Sequence, residues 1–185
     1  MSFECIDAAA VAPQAWRNGG GQTRELLAWP SAEAWTLRIS LADIRADGPF
    51  SSFAGVQRWF AVVQGAGVQL KFTDATYRIG LADEPLCFDG VLTPGCALLG
   101  GATRDLNLML RGAPGHMRRL HGALGCELDA PVLIAIYAVS MPAAVQFGDE
   151  VERVVAPGTL VWRLLDAPGR VRAQGDDALW LEAKV

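Results

Sequence analysis

The densest run of polar residues is Trp16-Arg17-Asn18-Gly19-Gly20-Gly21-Gln22-Thr23-Arg24-Glu25. Its side chains offer hydrogen-bond donors, acceptors and charges of both signs. Three consecutive glycines cost conformational entropy that a simple turn does not require, so they indicate backbone passing close to another segment or to a ligand. A packed loop anchored by Trp16 and a ligand-contacting loop both account for the run. It is not a nucleotide motif, because it lacks the Gly-Lys-Ser/Thr ending of a P-loop and the strand and helix that flank a Rossmann glycine motif.

Arginine is the second feature with a chemical meaning, since it supplies 14 of the 16 basic residues. Four arginines lie in polar segments: Arg24, Arg38, Arg58 and Arg104. A guanidinium group offers a rigid fork of donors that suits a carboxylate. That carboxylate belongs either to a ligand or to the protein, because Glu25 and Asp105 lie next to Arg24 and Arg104.

The common catalytic and metal-binding motifs are absent from the sequence. His116 and His121 lack the His-x-His spacing by which a β-barrel usually gathers a divalent metal, so we expect no metal and no cofactor. There is no Gly-x-Ser-x-Gly elbow, and no cysteine has an evident histidine partner. Acid–base chemistry by Glu25, Asp89 or Asp105 stays open, because a sequence does not give the separation of carboxyl groups.

The elements that must position these residues are strands. Short segments rich in branched and aromatic residues recur between glycine and proline turns, which is typical of an antiparallel β protein. The predicted strands are Trp35–Ile44, Arg58–Gln64, Val68–Phe72, Tyr77–Leu81, Asp105–Arg111, Val132–Val139, Thr159–Leu165 and Ala178–Glu182. We also expect a hairpin loop over Gln64–Gly67, where glycines permit a positive φ.

Alternation along two of these strands separates apolar from polar side chains. In Trp35–Ile44, Leu37 and Ile39 share one face, and Arg38 and Ser40 share the other. In the predicted strand Asp105–Arg111, the three leucines share one face. The other face carries a second set: Asp105, Asn107, Met109 and Arg111. Solvent exposure explains the charged members of this set as readily, but it fits Met109 less well. An inward polar lining is therefore the favoured interpretation.

Two turn segments carry further candidates. Phe50 and Phe53, in Asp47–Gly55, either form the floor of a pocket or plug the end of a barrel, and the plug is favoured. Asp89 lies at a probable tight turn before Gly90, where an aspartate commonly accepts backbone N–H bonds. A structural role is therefore favoured for Asp89.

So many strands in one chain must hide their edges, and closing or doubling the sheet is the usual solution. We therefore predict an all-β fold, a β-barrel or jelly roll, in which residues 1–185 form one unit of two stacked β modules. The approximate modules are residues 1–111 and 131–185. The connector 112–130 is rich in glycine, and within it His116–Leu124 is expected to be irregular or briefly helical.

Composition excludes several classes of protein. Of the 185 residues, 51% are hydrophobic and 19% charged, against roughly 25% charged in ordinary soluble domains, so disorder is excluded. The net charge of −4 favours neither nucleic acid nor a membrane surface as a partner. The apolar stretch Ala130–Val145 contains two prolines and is too short for a membrane helix, so we interpret it as a buried strand.

The amino terminus and the cysteines both favour a cytoplasmic protein. Residues 1–10 carry Glu4 and Asp7 where a secretory signal needs a basic segment and then an apolar one. The four cysteines form no C-x-x-C pair and lie in apolar surroundings, which is typical of reduced structural thiols: Cys5, Cys87, Cys96 and Cys126.

The chain resembles the HutD/Ves family. The motifs that carry the resemblance occur in the same order and cover about residues 16 to 111: Trp16–Glu25, Trp35-x-Leu37-Arg38-Ile39-Ser40, Asp47–Ser51, Phe88-Asp89-Gly90 and Arg104-Asp105-Leu106-Asn107-x-Met109. The resemblance implies a cupin-like, RmlC-type jelly roll without the usual metal-binding histidines. It also implies, for the HutD branch, a small acidic ligand such as formylglutamate or formate that tunes histidine degradation, and for the Ves branch a stress response. The sequence does not choose between the two branches.

Carried over residue by residue, the resemblance gives a set of ligand-binding candidates: Asn18, Thr23, Arg24, Glu25, Arg38, Ser40, Phe50, Arg58, Asp89, Arg104, Asp105, Asn107 and Met109. Trp16 and the three glycines match too, but we assign them to shaping the loop. The leading hypothesis is a non-enzymatic protein that binds a carboxylate-bearing small molecule through one or two arginines.

Two other hypotheses stay open. One is a metal-independent, cupin-like isomerase, lyase or hydrolase that uses Glu25 or Asp105 as its acid or base. The other is a protein-interaction or structural module in which the motifs only stabilise the barrel. The sequence does not decide whether the chain forms a homodimer.

Overall fold

The computed structural model describes residues 3–185. In that range the chain forms seventeen strands and one short 3-10 helix, Ala8–Ala10. The strands are β1 (Glu4–Asp7), β2 (Gln14–Ala15), β3 (Gly21–Trp29), β4 (Leu37–Ile44), β5 (Gly48–Pro49), β6 (Val56–Gln64), β7 (Val68–Lys71), β8 (Thr76–Ile79), β9 (Leu86–Asp89), β10 (Gly95–Leu98), β11 (Thr103–Arg111), β12 (Gly115–Leu128), β13 (Val132–Ala138), β14 (Ala143–Phe147), β15 (Arg153–Val155), β16 (Thr159–Leu165) and β17 (Gly169–Lys184).

The strands group into two compact units. The first unit is Ala12–Gly112, and the second joins the residues up to Val11 with Ala113–Val185. Strand β1 belongs to the second unit because it pairs with β16.

The first unit contains two antiparallel sheets. One has six strands in the order β2-β3-β4-β11-β6-β9, and the other has four in the order β5-β10-β7-β8. Buried side chains from both sheets form one apolar cluster, which includes Phe60 on β6, Leu70 on β7 and Cys96 on β10. The two sheets therefore share a core, as two packed layers do in a β-sandwich or barrel.

The second unit is a seven-stranded sheet in the order β1-β16-β13-β17-β14-β15, and β12 also pairs with β17. Every residue of β13 is buried, so this strand is apolar on both faces, as the Ala130–Val145 run predicts. Ile134, Ile136 and Trp180 belong to its core. No helix within residues 3–185 has the length and apolar character that a membrane span requires.

The structure confirms the predicted succession of β-strands and corrects two local expectations. All eight predicted strands overlap observed strands. His116–Leu124 is not irregular or helical, however, because it lies within β12, which pairs with β17 along its length. Gly122 follows a shift in this register after Leu120, and Gly115 and Gly125 take part in regular pairs.

The second correction concerns Gln64–Gly67. This segment does not close a hairpin, because β6 pairs with β11 and β9 whereas β7 pairs with β10 and β8. It carries the chain from one sheet to the other. Gly65 and Gly67 adopt φ values of 95° and 99°, the positive φ that the sequence predicts.

Candidate functional site

A cavity of about 470 Å³ lies in the first unit, which is within the range of roughly 300–1,000 Å³ that small-molecule sites occupy. Its wall is one face of the sheet formed by β3, β4, β11 and β6, together with the loop before β3 and the segment around Phe50. The polar and charged residues of the lining are Arg17, Asn18, Thr23, Arg38, Ser40, Ser51, Arg58, Asp105 and Asn107.

Nine of the thirteen predicted site residues line this cavity: Asn18, Thr23, Arg38, Ser40, Phe50, Arg58, Asp105, Asn107 and Met109. Strand register brings most of them together. Asn107 lies opposite Ser40, and Met109 lies opposite both Arg38 and Arg58 on the neighbouring strands. Because directly opposed residues project to the same side of a sheet, the polar faces of β4 and β11 form one surface.

Arg58 is the most deeply buried cation of the lining, with 6% of its surface exposed. Its guanidinium carbon lies 4.9, 5.6 and 5.2 Å from the ring centres of Phe50, Phe53 and Phe88. Burial lowers the pKa of Arg58 to about 10, although the nearby Asp105 carboxyl opposes this shift. The group therefore stays charged at neutral pH, held by aromatic faces that attract a cation without neutralising it.

The Phe50 ring belongs to the Asp47–Gly55 turn segment. It lines the cavity and packs against Phe60, with ring centres 5.6 Å apart. Phe53 also lines the cavity. The two rings therefore form part of the cavity wall as well as packing within the first unit.

A hydrogen-bonded chain links Arg58 to Asp105. Arg58 Nη2 donates to Asn107 Oδ1 at 3.2 Å, and Asn107 Nδ2 donates to Asp105 Oδ2 at 2.5 Å. Two buried polar atoms on this chain have no hydrogen-bond partner among the described residues, namely Arg58 Nε and Asp105 Oδ1. Unsatisfied buried groups are rare in folded proteins, and a bound ligand is one way to satisfy them.

The Asp105 carboxyl is 1% exposed. Burial raises its pKa to about 7, and the nearby Asp43 carboxylate adds to the rise, whereas the Asn107 hydrogen bond and the Arg58 charge oppose it. Near neutral pH the carboxyl is therefore present in both protonation states. A group of this kind donates a hydrogen bond when protonated and accepts one when ionised.

Further contacts fix the side chains of the loop and of β4. The Trp16 indole N–H donates to Thr23 Oγ1 at 2.8 Å, which leaves the Thr23 hydroxyl proton available as a donor. Arg38 Nε donates to Glu25 Oε2 at 2.6 Å. Glu25 does not line the cavity, contrary to the sequence-based expectation. It is instead the partner that holds Arg38.

Arg24 and Arg104 are also placed away from the lining. Both contact Asp43, with N–O distances of 2.8 and 2.5 Å, and Gln22 Nε2 donates to the same carboxylate at 2.7 Å. Asp43 lies between Ala42 and Ile44, which line the cavity, so alternation directs this cluster to the opposite face of the sheet. Partial burial works against ionisation, but the hydrogen bonds from Arg104, Gln22 and Arg24 lower the pKa of Asp43 to about 2.

Asp89 is the fourth candidate outside the lining, and it has the structural role that its turn predicts. Its Oδ1 accepts a hydrogen bond from the Val91 backbone N–H at 2.9 Å. An aspartate engaged with its own turn in this way stabilises the turn.

Sequence reasoning missed some of the lining. Arg17 stands in the polar run but is not among the candidates, and Trp16 is assigned there to shaping the loop. Ala42 and Ile44 continue the alternation of Arg38 and Ser40 along β4. That alternation is a signal in the sequence that could have found them. Of the three glycines, Gly21 is explained by a close approach, because a Cβ there would lie 2.3 Å from the Asp43 carbonyl oxygen, and Gly19 by its positive φ of 72°.

Comparison with protein families gives one match to nearly the whole chain, in which the HutD family model matches residues 8–182. An uncharacterized 21.2 kDa protein in the hutC 3' region of Pseudomonas putida is 41% identical over 96 residues, 51% of this chain and 50% of that protein. Protein Ves of Citrobacter koseri is 34% identical over 111 residues, 59% of this chain and 58% of that protein. The chain thus spans about half the length of the curated relatives it matches.

Solved structures show the same fold. HutD from Pseudomonas fluorescens SBW25, in a formate condition, aligns with a TM-score of 0.88 and 24% identity, covering 99% of this chain and 98% of that one. A conserved protein of unknown function from Pseudomonas aeruginosa PAO1 aligns with a TM-score of 0.83 and 26% identity, covering 99% and 97%. A cupin 2 conserved barrel domain protein from Leptotrichia buccalis aligns at 0.57 and 11% identity, covering 98% and 96%. The predicted all-β, cupin-like fold is confirmed.

Proposed function

The chain belongs to the HutD family, and we propose that it binds a small carboxylate-bearing metabolite in the cavity of the first unit without transforming it. The observation that carries this proposal is Arg58. Its guanidinium is buried in the cavity wall, and in residues 3–185 its Nε has no hydrogen-bond partner. A ligand carboxylate would supply both the missing acceptor and the opposite charge.

The charges of the lining support an anion rather than a cation. Arg17, Arg38 and Arg58 line the cavity, and Asp105 lines it as a carboxyl that is partly protonated near pH 7. Glu25 offsets the charge of Arg38. The remaining balance is positive, and a positive cleft with low-dielectric walls concentrates small anions.

Formylglutamate and formate are the ligands that we propose to test first. The Pseudomonas putida relative is described by its position in the hutC 3' region, and HutD from Pseudomonas fluorescens was solved in a formate condition. We propose that the chain tunes histidine degradation by sensing such an acid, with the stress response of the Ves branch as the other outcome. The free state of all four cysteines is compatible with a cytoplasmic location.

Calorimetry and thermal unfolding test the binding directly. N-formyl-L-glutamate, formate, L-glutamate and urocanate are titrated at millimolar concentration, and a ligand present at 100 times its Kd should stabilise the protein by about 2.7 kcal/mol. Failure of all four acids to bind would overturn the proposal.

Two variants locate the binding. Arg58→Gln should abolish it, and Arg58→Lys should weaken it because an ammonium group lacks the fork of donors. Arg104→Gln is the matched control, since Arg104 contacts Asp43 on the opposite face of the same sheet. Equal loss of binding in Arg104→Gln and Arg58→Gln would place the effect outside the cavity.

One observation favours a second candidate function, acid–base catalysis without a metal. Asp105 lines the cavity, its Oδ1 has no partner among the described residues, and its pKa of about 7 suits proton transfer. Turnover of an acidic substrate that survives chelation of metals and disappears in Asp105→Asn would support it. Arg104→Gln is the control, because Arg104 lies outside the lining and contacts Asp43 on the opposite face of the sheet.

A further inference from the structure

Asp105 holds a position that anion binding by arginine does not explain, because it places a carboxyl group in the wall of a site for carboxylates. We propose that Asp105 acts on the ligand as a neutral acid, so that the cavity takes up a proton together with each carboxylate it binds. This inference rests on the proposed carboxylate-binding function and adds to it how the site is regulated by pH.

The geometry around Asn107 carries the first step. The Asn107 amide is oriented by Arg58, which donates to its Oδ1, so its Nδ2 is directed to Asp105 Oδ2. The second oxygen, Asp105 Oδ1, is buried and lacks a partner in the part of the chain that the structure describes. Asp105 Oδ1 is therefore the oxygen of this carboxyl that is free to carry the proton.

The second step follows from placing an anion in the same cavity. A carboxylate paired with Arg58 would share the cavity with the buried Asp105 carboxyl, which is joined to Arg58 through Asn107. Two ionised carboxylates at such a site repel each other, which raises the pKa of the one that the protein supplies. A proton on Asp105 Oδ1 replaces this repulsion with a hydrogen bond or a neutral contact, so the complex keeps the proton.

The pH dependence of ligand binding reports on Asp105 only where the neighbouring groups do not titrate in the same pH range. The charged or titratable groups on the surrounding elements are Arg58 on β6, Arg38 and Asp43 on β4, Glu25 on β3, Cys96 on β10, Asp47 before β5 and Arg17 in the loop before β3. Asp43 has a pKa of about 2, and burial lowers that of Arg58 to about 10 and raises that of Cys96 to about 12. Between pH 6 and 8 these three groups keep their protonation states, whereas Asp105 changes its own.

The expected change of the Kd with pH follows from the coupling between proton binding at Asp105 and ligand binding. When the free protein has an Asp105 pKa of about 7 and the complex retains the proton, the Kd for an ionised ligand rises about tenfold between pH 6 and pH 8. A deprotonated Asp105 that accepted a hydrogen bond from the ligand would give the opposite sign, with tighter binding at higher pH.

The test is calorimetry with N-formyl-L-glutamate and with formate, whose carboxylates are ionised across this range, at pH 6, 7 and 8. Two buffers with different ionisation enthalpies report the protons taken up per ligand. We expect the tenfold rise in Kd, proton uptake on binding at pH 7, and loss of both in Asp105→Asn.

The outcomes separate this inference from the proposed function. A Kd that is constant from pH 6 to 8, or that falls, overturns proton uptake while leaving carboxylate binding intact. The same pH dependence in Asp105→Asn also overturns it, because another group would then carry the proton. The absence of binding at all three pH values overturns the proposed function and this inference together.

Discussion

Replacing Asp105 by asparagine should make the ligand-free protein less sensitive to pH, because this substitution removes a buried titratable group while keeping its shape. The folded protein holds the Asp105 proton with a pKa of about 7, against an ordinary value of 3.8 that we take for the unfolded chain. Between these two values the folded state binds more protons than the unfolded state. Stability contributed by Asp105 is therefore fully present below pH 4, falls as the pH rises, and levels off above pH 7.

The magnitude follows from the same two pKa values. Within this window each pH unit costs up to about 1.4 kcal/mol, so wild type should lose roughly 2 kcal/mol relative to Asp105→Asn between pH 5 and pH 7. Asp43 does not interfere, because its lowered pKa contributes stability that is lost only as the pH falls from about 4 toward 2.

Urea unfolding followed by tryptophan fluorescence at pH 5, 6 and 7 measures this difference. The free energy of unfolding of Asp105→Asn should exceed that of wild type by an amount that grows with pH. Parallel curves for the two proteins would refute the reasoning, since they would mean that Asp105 is already ionised at pH 5.

Two further predictions concern stability away from the cavity wall. Asp43→Asn removes the acceptor shared by two arginines and should cost about 1–3 kcal/mol at pH 7 by urea unfolding. An unchanged free energy of unfolding would contradict a stabilising role for this cluster. Gly67→Ala should lower the Tm more than Gly101→Ala, although both residues have a positive φ. A Cβ at Gly67 would lie 2.3 Å from the Ile79 carbonyl oxygen, whereas one at Gly101 would meet open space. Equal drops in Tm would show that φ alone sets the cost.

Local alternation predicts β11 well, because its pattern and its environment agree. The leucines and the polar residues separate cleanly, and the structure places Asp105, Asn107 and Met109 on the cavity side. Strand β12 could not be predicted in the same way. Its glycines indicate a loop locally, yet pairing with β17 over most of its length imposes an extended conformation. Tertiary pairing of this kind outweighs local preference.

The partners of the arginines could not be predicted from the sequence. Arg24 and Arg58 both stand in polar segments, but their faces depend on strand register, and the partner of Arg24 is Asp43 on the neighbouring strand. Nothing adjacent in sequence identifies Asp43 as that partner. The direct neighbours, Glu25 for Arg24 and Asp105 for Arg104, do not pair with those arginines in the structure; they project to the other side of the sheet.

The two faces of this sheet separate structural arginines from one suited to a ligand. On one face Asp43 accepts bonds from two guanidinium groups, so Arg24 and Arg104 both have a carboxylate partner within the protein. On the other face Arg58 lies against phenyl rings, and the Asn107 amide bonds to both Arg58 and Asp105. When Asp105 carries its proton, the Arg58 charge is left for an incoming carboxylate. In the carboxylate site that we propose, burial of Asp105 favours its protonated form and so keeps the protein's own carboxyl from competing with the ligand for Arg58.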